Sequence, residues 1–288
     1  MDGPTFLKTG TGIIMKPNTL YSRQQAANSE LAGEQQRFLK NLSNAISQNE
    51  LCLHYQPRYK CLTGQATVLE ALVRWQRPDV GLLYPETFIA AAETHGLIYS
   101  LDIWVFEQCC KDLVWFHEHL DSSIKLAVNI SVLSSESVYF SQKLIELCKQ
   151  YQLSLADFVI EITVSTHAHD IRKVKAFCAT LANFGAEFCL DDFGTGQSPL
   201  VNLFELPVDS LVIDRTLVQN LIQSQRSETI IKHMVSLATE LGIKTIAQGV
   251  EHADEYELLK SIGCHQIQGH YLSRPVARER LPVEALTI

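Results

Sequence analysis

FCLDDFGTGQS, residues Phe188–Ser198, puts two acids side by side at the end of an apolar run, with a glycine-rich turn after them. Adjacent carboxylates at the end of a buried strand repel each other and lose hydration. They persist there only when something neutralises them. What surrounds Asp191 and Asp192 therefore determines what the segment is for.

Working outward, short apolar runs of strand type recur along the chain: Leu51–Tyr55, Thr67–Leu72, Lys125–Ile130, Phe158–Thr163, Glu187–Leu190, Ser210–Ile213, Lys244–Ala247 and Gln266–Tyr271. Helical periodicity separates most of them, over Pro85–Thr94, Leu101–His119, Glu136–Tyr151, Ile171–Phe184, Thr216–Leu241 and Ala253–Ser261. Eight strands alternating with helices predict an α/β fold, a closed (β/α)₈ TIM-like barrel, with an open doubly wound sheet as the alternative. Residues 1–29 carry Gly, Pro and Asn without sustained periodicity and read as a tail or linker. Leu31, Phe38, Leu39, Leu42 and Ile46 then fall near one helical face, so residues 30–288 read as the barrel domain.

A barrel places its chemistry where the parallel strands end. Polar residues there are Glu70 and Arg74, Asn129 and Ser131, Glu161, Asp191 with Asp192, Gln248, and Gln268 before Gly269. Four strands thus send oxygen ligands (Glu70, Asn129, Glu161 and the Asp pair) to one rim. Mg²⁺ or Mn²⁺ prefers such a set and would neutralise the paired acids. The competing reading is that a single acid at a strand end, such as Asp192, is an N-cap for the next helix.

With 46% hydrophobic residues among 288, the chain can bury a large core. Its net charge of −8 argues against a broad affinity for nucleic acid or anionic membrane. No run is long enough to cross or insert in a membrane, and the N-terminus lacks a signal-peptide core. The eight cysteines form no CxxC pair, which is ordinary thiol usage in a reducing compartment and points to a cytoplasmic location. The histidines of HEH (His117–His119) and HAH (His167–His169) face different directions on a helix and read as surface residues. Trp75, Trp104 and Trp115 read as packing between helices and barrel.

The motifs YQPRY (Tyr55–Tyr59), EALVRW (Glu70–Trp75), VNIS (Val128–Ser131), EIT (Glu161–Thr163), DDFGTG (Asp191–Gly196), LPVDSLVIDR (Leu206–Arg215), GVE (Gly249–Glu251) and GCHQIQGHYLSRP (Gly263–Pro275) occur in one order. In this they resemble the EAL domain family of bacterial cyclic-di-GMP phosphodiesterases and their non-catalytic relatives. The resemblance implies a barrel with one antiparallel strand. It also implies a reaction in which two metal ions activate water to cleave cyclic-di-GMP to the linear dinucleotide pGpG. By motif position, Glu70, Asn129, Glu161 and Asp191 match ligands of the first metal, and Asp191 with Asp192 ligands of the second. Gln56, Glu70, Leu72, Arg74, Asn129, Asp192 and Gln268 match positions around the dinucleotide, and Asp192 and Glu251 are what remains of the catalytic set.

Three positions depart from the active pattern. Val212 stands where active members carry the lysine that holds the attacking water. Gln248 replaces a glutamate that supports the second metal, so that site is expected to be weakened or lost. Val164 replaces a glutamate that steadies the loop after the Asp pair. Lys244 begins the strand of Gln248 and would lie too deep to replace the missing lysine. His270 stands where the family has an aromatic, beside the candidate ligand-binding Gln268. Gln197 takes the place of a tyrosine in a loop bordering the dimer interface of many relatives, which leaves a homodimer, with an altered interface, among the expected partners. Taken together, the residues read as a degenerate EAL domain, a signalling receptor that binds cyclic-di-GMP with little or no hydrolysis and relays its level to a protein partner. A weak metal-dependent phosphodiesterase and a nucleotide-independent interaction module are the alternatives.

Overall fold

In the computed structural model, Leu51–Lys60 (β1) turns back on Ala66–Arg77 (β2) as an antiparallel hairpin. The structure describes residues 8–9, 12–13, 19–48, 50–163, 170–194, 200–281 and 286, with side chains from Gly33 onward. The barrel continues after the hairpin through Lys125–Asn129 (β3), Phe158–Ile162 (β4), Glu187–Phe193 (β5), Ser210–Ile213 (β6), Lys244–Gln248 (β7) and Gln266–Gln268 (β8). From β2 to β8 each strand runs parallel to the next. β8 then closes on β1 antiparallel. The result is the expected closed barrel, and its one reversed strand is β1.

Two apolar layers hold it together. The outer one lies between strands and helices and includes the fully buried Phe106, Phe116, Phe140 and Phe158. Burying an aromatic or aliphatic side chain of this size stabilises the fold by about 1.5–3 kcal/mol each. The inner layer is separate and small: Ala127, Val159, Cys189, Val212 and Ile246, with Val68 against them. All eight cysteines are free thiols, seven of them buried.

The element boundaries differ from the sequence pattern where packing adds or removes a partner. The first long helix runs Thr19–Ser47, so it starts eleven residues before Glu30. Its first part (Gln24, Gln25, Ala26, Ala27) has good helix formers but no apolar stripe. β2 runs to Arg77 because Gly81–Leu83 folds back on it. A further strand, Val276–Ala277, pairs with His54 and Tyr55 of β1. The segment 216–241 is two helices, Arg215–Gln219 and Gln225–Glu240; the Ser224 hydroxyl accepts the Ser227 N–H and starts the second. Among the described residues no helix is long and apolar enough to cross a membrane.

Candidate functional site at the C-terminal rim of the barrel

The centre of the rim is an arginine that the strand-end pattern did not single out. Arg58, on β1, is 2% exposed. Its Nη2 lies 2.5 Å from Glu161 Oε1 and 3.6 Å from Glu70 Oε2, and its Nε donates to Gln268 Oε1 at 3.0 Å. Gln268 in turn donates through Nε2 to Glu70 Oε2 (2.5 Å) and to Gln56 Oε1 (2.9 Å). Asn129 Nδ2 donates to Glu70 Oε1 at 2.9 Å, and Gln56 Nε2 to the Ser273 carbonyl at 2.9 Å. Strand register explains the convergence. Gln56 lies opposite Glu70, Asn129 beside Glu161, and Gln248 beside Gln268. Gln56, Glu70, Asn129 and Gln268, joined to Glu161 through Arg58, therefore form one connected network.

Asp191 and Asp192 reach the rim through a bulge. β5 pairs with β6 through Leu190 and again through Phe193, and the two acids are the irregularity between. Such a bulge turns side chains out of the ladder. Asp192 takes φ +52, a left-handed conformation that Asp tolerates better than most residues, and its N–H donates to Asp191 Oδ1 at 2.8 Å. Burial pushes the Asp191 carboxyl up to about 7, with Asp192 and Glu70 adding to the rise. Burial raises Asp192 too, and Asp214 adds to it. Burial lifts Glu161 to about 8 against the pull of Arg58. The acids are thus short of positive charge, and Arg58 supplies part of it.

Several of the remaining predicted residues line two cavities. One, of about 440 Å³, is lined by Glu70, Leu72, Asn129, Ser131, Asp102 and Glu93, among others. The other, about 270 Å³, is lined by Gln56, Gln248, Glu251, Gln268, His270 and Asp214, among others. His270 thus shares a cavity with Gln268. Glu251 accepts from Gln219 Nε2 at 3.2 Å and pairs with Arg215 at 3.6 Å. Arg74 stacks its guanidinium on Tyr84, 4.9 Å from the ring centroid, and its buried Nε has no acceptor among the described residues. Val164, Gln197 and the HAH motif lie outside the described residues. His117 is half-buried rather than a surface residue, because its Nε2 is 2.8 Å from the Ile124 carbonyl; His119 is exposed and stacks on Trp115. Lys244 starts β7 beside Glu187, at the opposite end of the barrel from Gln248, as expected.

Gly269 fixes the rim locally. A Cβ there would stand 2.0 Å from the Val250 carbonyl oxygen, where the chain packs backbone on backbone. Any side chain would push β8 away and carry Gln268 out of the network.

Among the described residues no three Asp, Glu, His or Cys side chains stand together as a metal-holding cluster. The donor chemistry nevertheless fits one hard divalent cation. Glu70, Glu161 and Asp191 offer carboxylates, Asn129 an amide oxygen, and burial leaves two of the acids under-neutralised. Arg58 competes for Glu161 and Glu70. For a second ion Asp191, Asp192 and the uncharged Gln248 amide remain, with Asp214 and Glu251 lining the same cavity as Gln248.

Asp102 ties the Ser131 turn to this wall. Its Oδ2 accepts the Ser131 N–H at 3.1 Å, while Ser131 Oγ donates to Glu93 Oε1 at 2.8 Å. Burial pushes the Asp102 carboxyl up to about 7; the Ser134 hydroxyl and the Ser131 N–H pull it partly back, and Glu93 raises it further. Above the unfolded value of 3.8 and below 7, the folded chain keeps a proton that the unfolded chain has released. Stability from this group is therefore greatest below the unfolded value, falls as pH rises through that window, and levels off above it. Asp102→Asn removes the titration while keeping an acceptor for Ser131. The variant is expected to gain on the order of 2–4 kcal/mol over wild type between pH 4 and pH 8. Urea unfolding of both proteins at the two pH values measures this, and an unchanged difference would rule out a proton on Asp102.

The closed α/β barrel thus gathers a shared carboxylate and amide network at the C-terminal ends of its parallel strands, the face at which barrels of this kind carry their sites. The chain belongs to the EAL domain family, whose sequence profile matches residues 39–275. It is 32% identical over 250 residues to the bifunctional diguanylate cyclase/cyclic di-GMP phosphodiesterase MucR of Pseudomonas aeruginosa, covering 87% of this chain and 36% of that protein. It is 33% identical over 255 residues to the cyclic di-GMP phosphodiesterase NbdA of the same organism, covering 88% of this chain and 32% of that one. The chain thus spans about a third of the length of these relatives. Among solved structures, the MucR phosphodiesterase in complex with c-di-GMP superposes with a TM-score of 0.80 at 31% identity, over 85% of this chain and 99% of that one. The FimX EAL domain from Pseudomonas aeruginosa, bound to c-di-GMP, does so at 0.75 and 26% identity, over 83% and 96%.

Proposed function

We propose that this domain binds cyclic-di-GMP at the C-terminal rim and hydrolyses it slowly or not at all. The observation that carries the reading is the environment of Val212. It is 2% exposed, packed in the inner apolar layer, and its strand faces the Asp191–Asp192 bulge. A lysine at that place would set an ammonium beside the acids and hold water there; valine does neither. Gln248 likewise brings no charge to the same rim. Binding draws on what is retained: the Gln56–Gln268–Glu70 network, and Arg74 with a buried N–H to spare. Glu70, Asn129, Glu161 and Asp191 would hold one Mg²⁺ or Mn²⁺, which when bound polarises a phosphate oxygen and lowers the pKa of water. The retained acids favour weak phosphodiesterase activity as a second reading. Exposed Leu200, Val201 and Phe204, beside the loop after the bulge, give a protein partner or a second copy an apolar surface to cover.

Calorimetric titration of cyclic-di-GMP with Mn²⁺ present, and then chromatography of the nucleotide, tests both readings. A saturable isotherm with the cyclic dinucleotide recovered intact is the expected result. Steady heat with pGpG accumulating would establish the enzyme instead, and a flat trace would remove nucleotide binding altogether.

A further inference from the structure

The opposite end of the barrel holds the largest of the cavities described, about 590 Å³. Part of the inner apolar layer reaches it: Val159 and Ile246, with the adjacent Val68. Val68, Val159 and Ile246 line the cavity as apolar walls, with Leu62 at the β1–β2 turn, 83% exposed.

The charge there runs against that of the chain. Overall, 32 acids outnumber 24 bases. Around this cavity Lys60, Lys125, Lys244 and Arg58 meet a single acid, Glu187. Lys125 Nζ lies 2.7 Å from Glu187 Oε1 and Lys244 Nζ 3.7 Å from Glu187 Oε2, so two ammonium groups share one carboxylate. Burial alone would raise Glu187, but the Lys125 hydrogen bond and the charges of Lys244 and Lys125 hold it below the usual range, so it stays ionised. Lys60 is exposed at the end of β1 and has no ion pair among the described residues. Arg58 is committed upward to Glu161. Three lysines against one carboxylate leave two positive charges facing a half-enclosed apolar space. Low-dielectric walls focus such a field. Ser210, Thr67 and Gln266 add hydrogen-bonding groups, and His265 adds Nε2: its Nδ1 accepts from the Thr245 N–H at 3.2 Å, which leaves the proton on the other nitrogen.

We propose that this cavity is a second ligand site, at the face remote from the rim, for a small organic phosphomonoester: a dianionic head on Lys60, Lys125 and Lys244, and a flat apolar body against Val68, Val159 and Ile246. Two positive charges match the dianion, and the volume falls within the range of small-molecule sites.

The test uses the intact chain in EDTA, with phenyl phosphate as probe and benzoate and phenol as controls, read by calorimetry and by NMR of the probe. Phenyl phosphate is expected to bind saturably, benzoate more weakly and phenol not at all. Lys125→Met with Lys244→Met is expected to weaken phenyl phosphate by at least about tenfold. Glu187→Gln removes the one opposing charge and is expected to tighten it, a gain that a misfolded variant cannot produce. Absence of saturable binding, or binding that neither change alters, overturns the site. Benzoate binding as tightly as phenyl phosphate overturns the dianionic class.

Discussion

Arg58→Met is expected to remove about 3–5 kcal/mol of stability in metal-free buffer above about pH 8, where Glu161 is ionised, the cost of leaving a buried carboxylate without its cation. Methionine keeps the apolar stem that passes through the barrel but not the guanidinium that reaches Glu161 at 2.5 Å, Glu70 at 3.6 Å and Gln268 at 3.0 Å. Glu161 is 2% exposed and Glu70 4%, so water cannot replace the lost charge. The same change frees both carboxylates for a divalent ion. Mn²⁺ should therefore raise the melting temperature of the variant more than that of wild type, because a ligand that binds only the folded state stabilises it by an amount that grows with the logarithm of its affinity. Thermal unfolding of both proteins with and without Mn²⁺ gives the answer. A variant as stable as wild type in EDTA would mean that Arg58 neutralises nothing. An equal Mn²⁺ response in both would mean that it does not compete with the metal.

Most of the rim is legible in the sequence as polar residues at the C-terminal ends of apolar runs. Glu70, Asn129, Glu161, Asp191, Gln248 and Gln268 stand there because β2 to β8 all point the same way. Arg58 is not legible in that way, because β1 points in the opposite direction. The polar residues of β1 enter the rim from mid-strand, and its C-terminal Lys60 lies at the far cavity instead. The usable signal was a charge, Arg58, inside a strand that is otherwise buried from Tyr55 to Tyr59. Two features lay beyond sequence periodicity. The bulge at Asp191–Asp192 depends on pairing with β6, a non-local contact. The far cavity takes lining residues from all eight barrel strands, which no local sequence pattern brings together.

Val212→Lys together with Gln248→Glu is expected to raise the Mn²⁺-dependent turnover of cyclic-di-GMP by at least about a hundredfold, while binding changes far less. The register supports the first change. Val212 lies beside Ile246 on β7 and, on its other side, opposite the bulge that carries Asp191 and Asp192. Both acids are held above their ordinary range by burial and by neighbouring carboxylates, so an ammonium arriving there meets charge that is short of a partner. That attraction offsets the cost of placing lysine next to Val159 and Ile246 in the apolar layer. The second change is next to Gln268 in register and puts a carboxylate in the cavity already lined by Asp214 and Glu251. Glutamate alone would add negative charge to a rim that already lacks positive charge, so it is expected to help only when lysine or a metal accompanies it. Groups that act on one transition state do not contribute additively, and the double variant should exceed the product of the singles. Turnover read by the appearance of pGpG, beside a binding isotherm for each variant, separates the possibilities. Unchanged turnover with binding intact would show that Val212 and Gln248 are not what limits hydrolysis. The limit would then lie with Arg58, which holds Glu161 and Glu70 where a metal would need them.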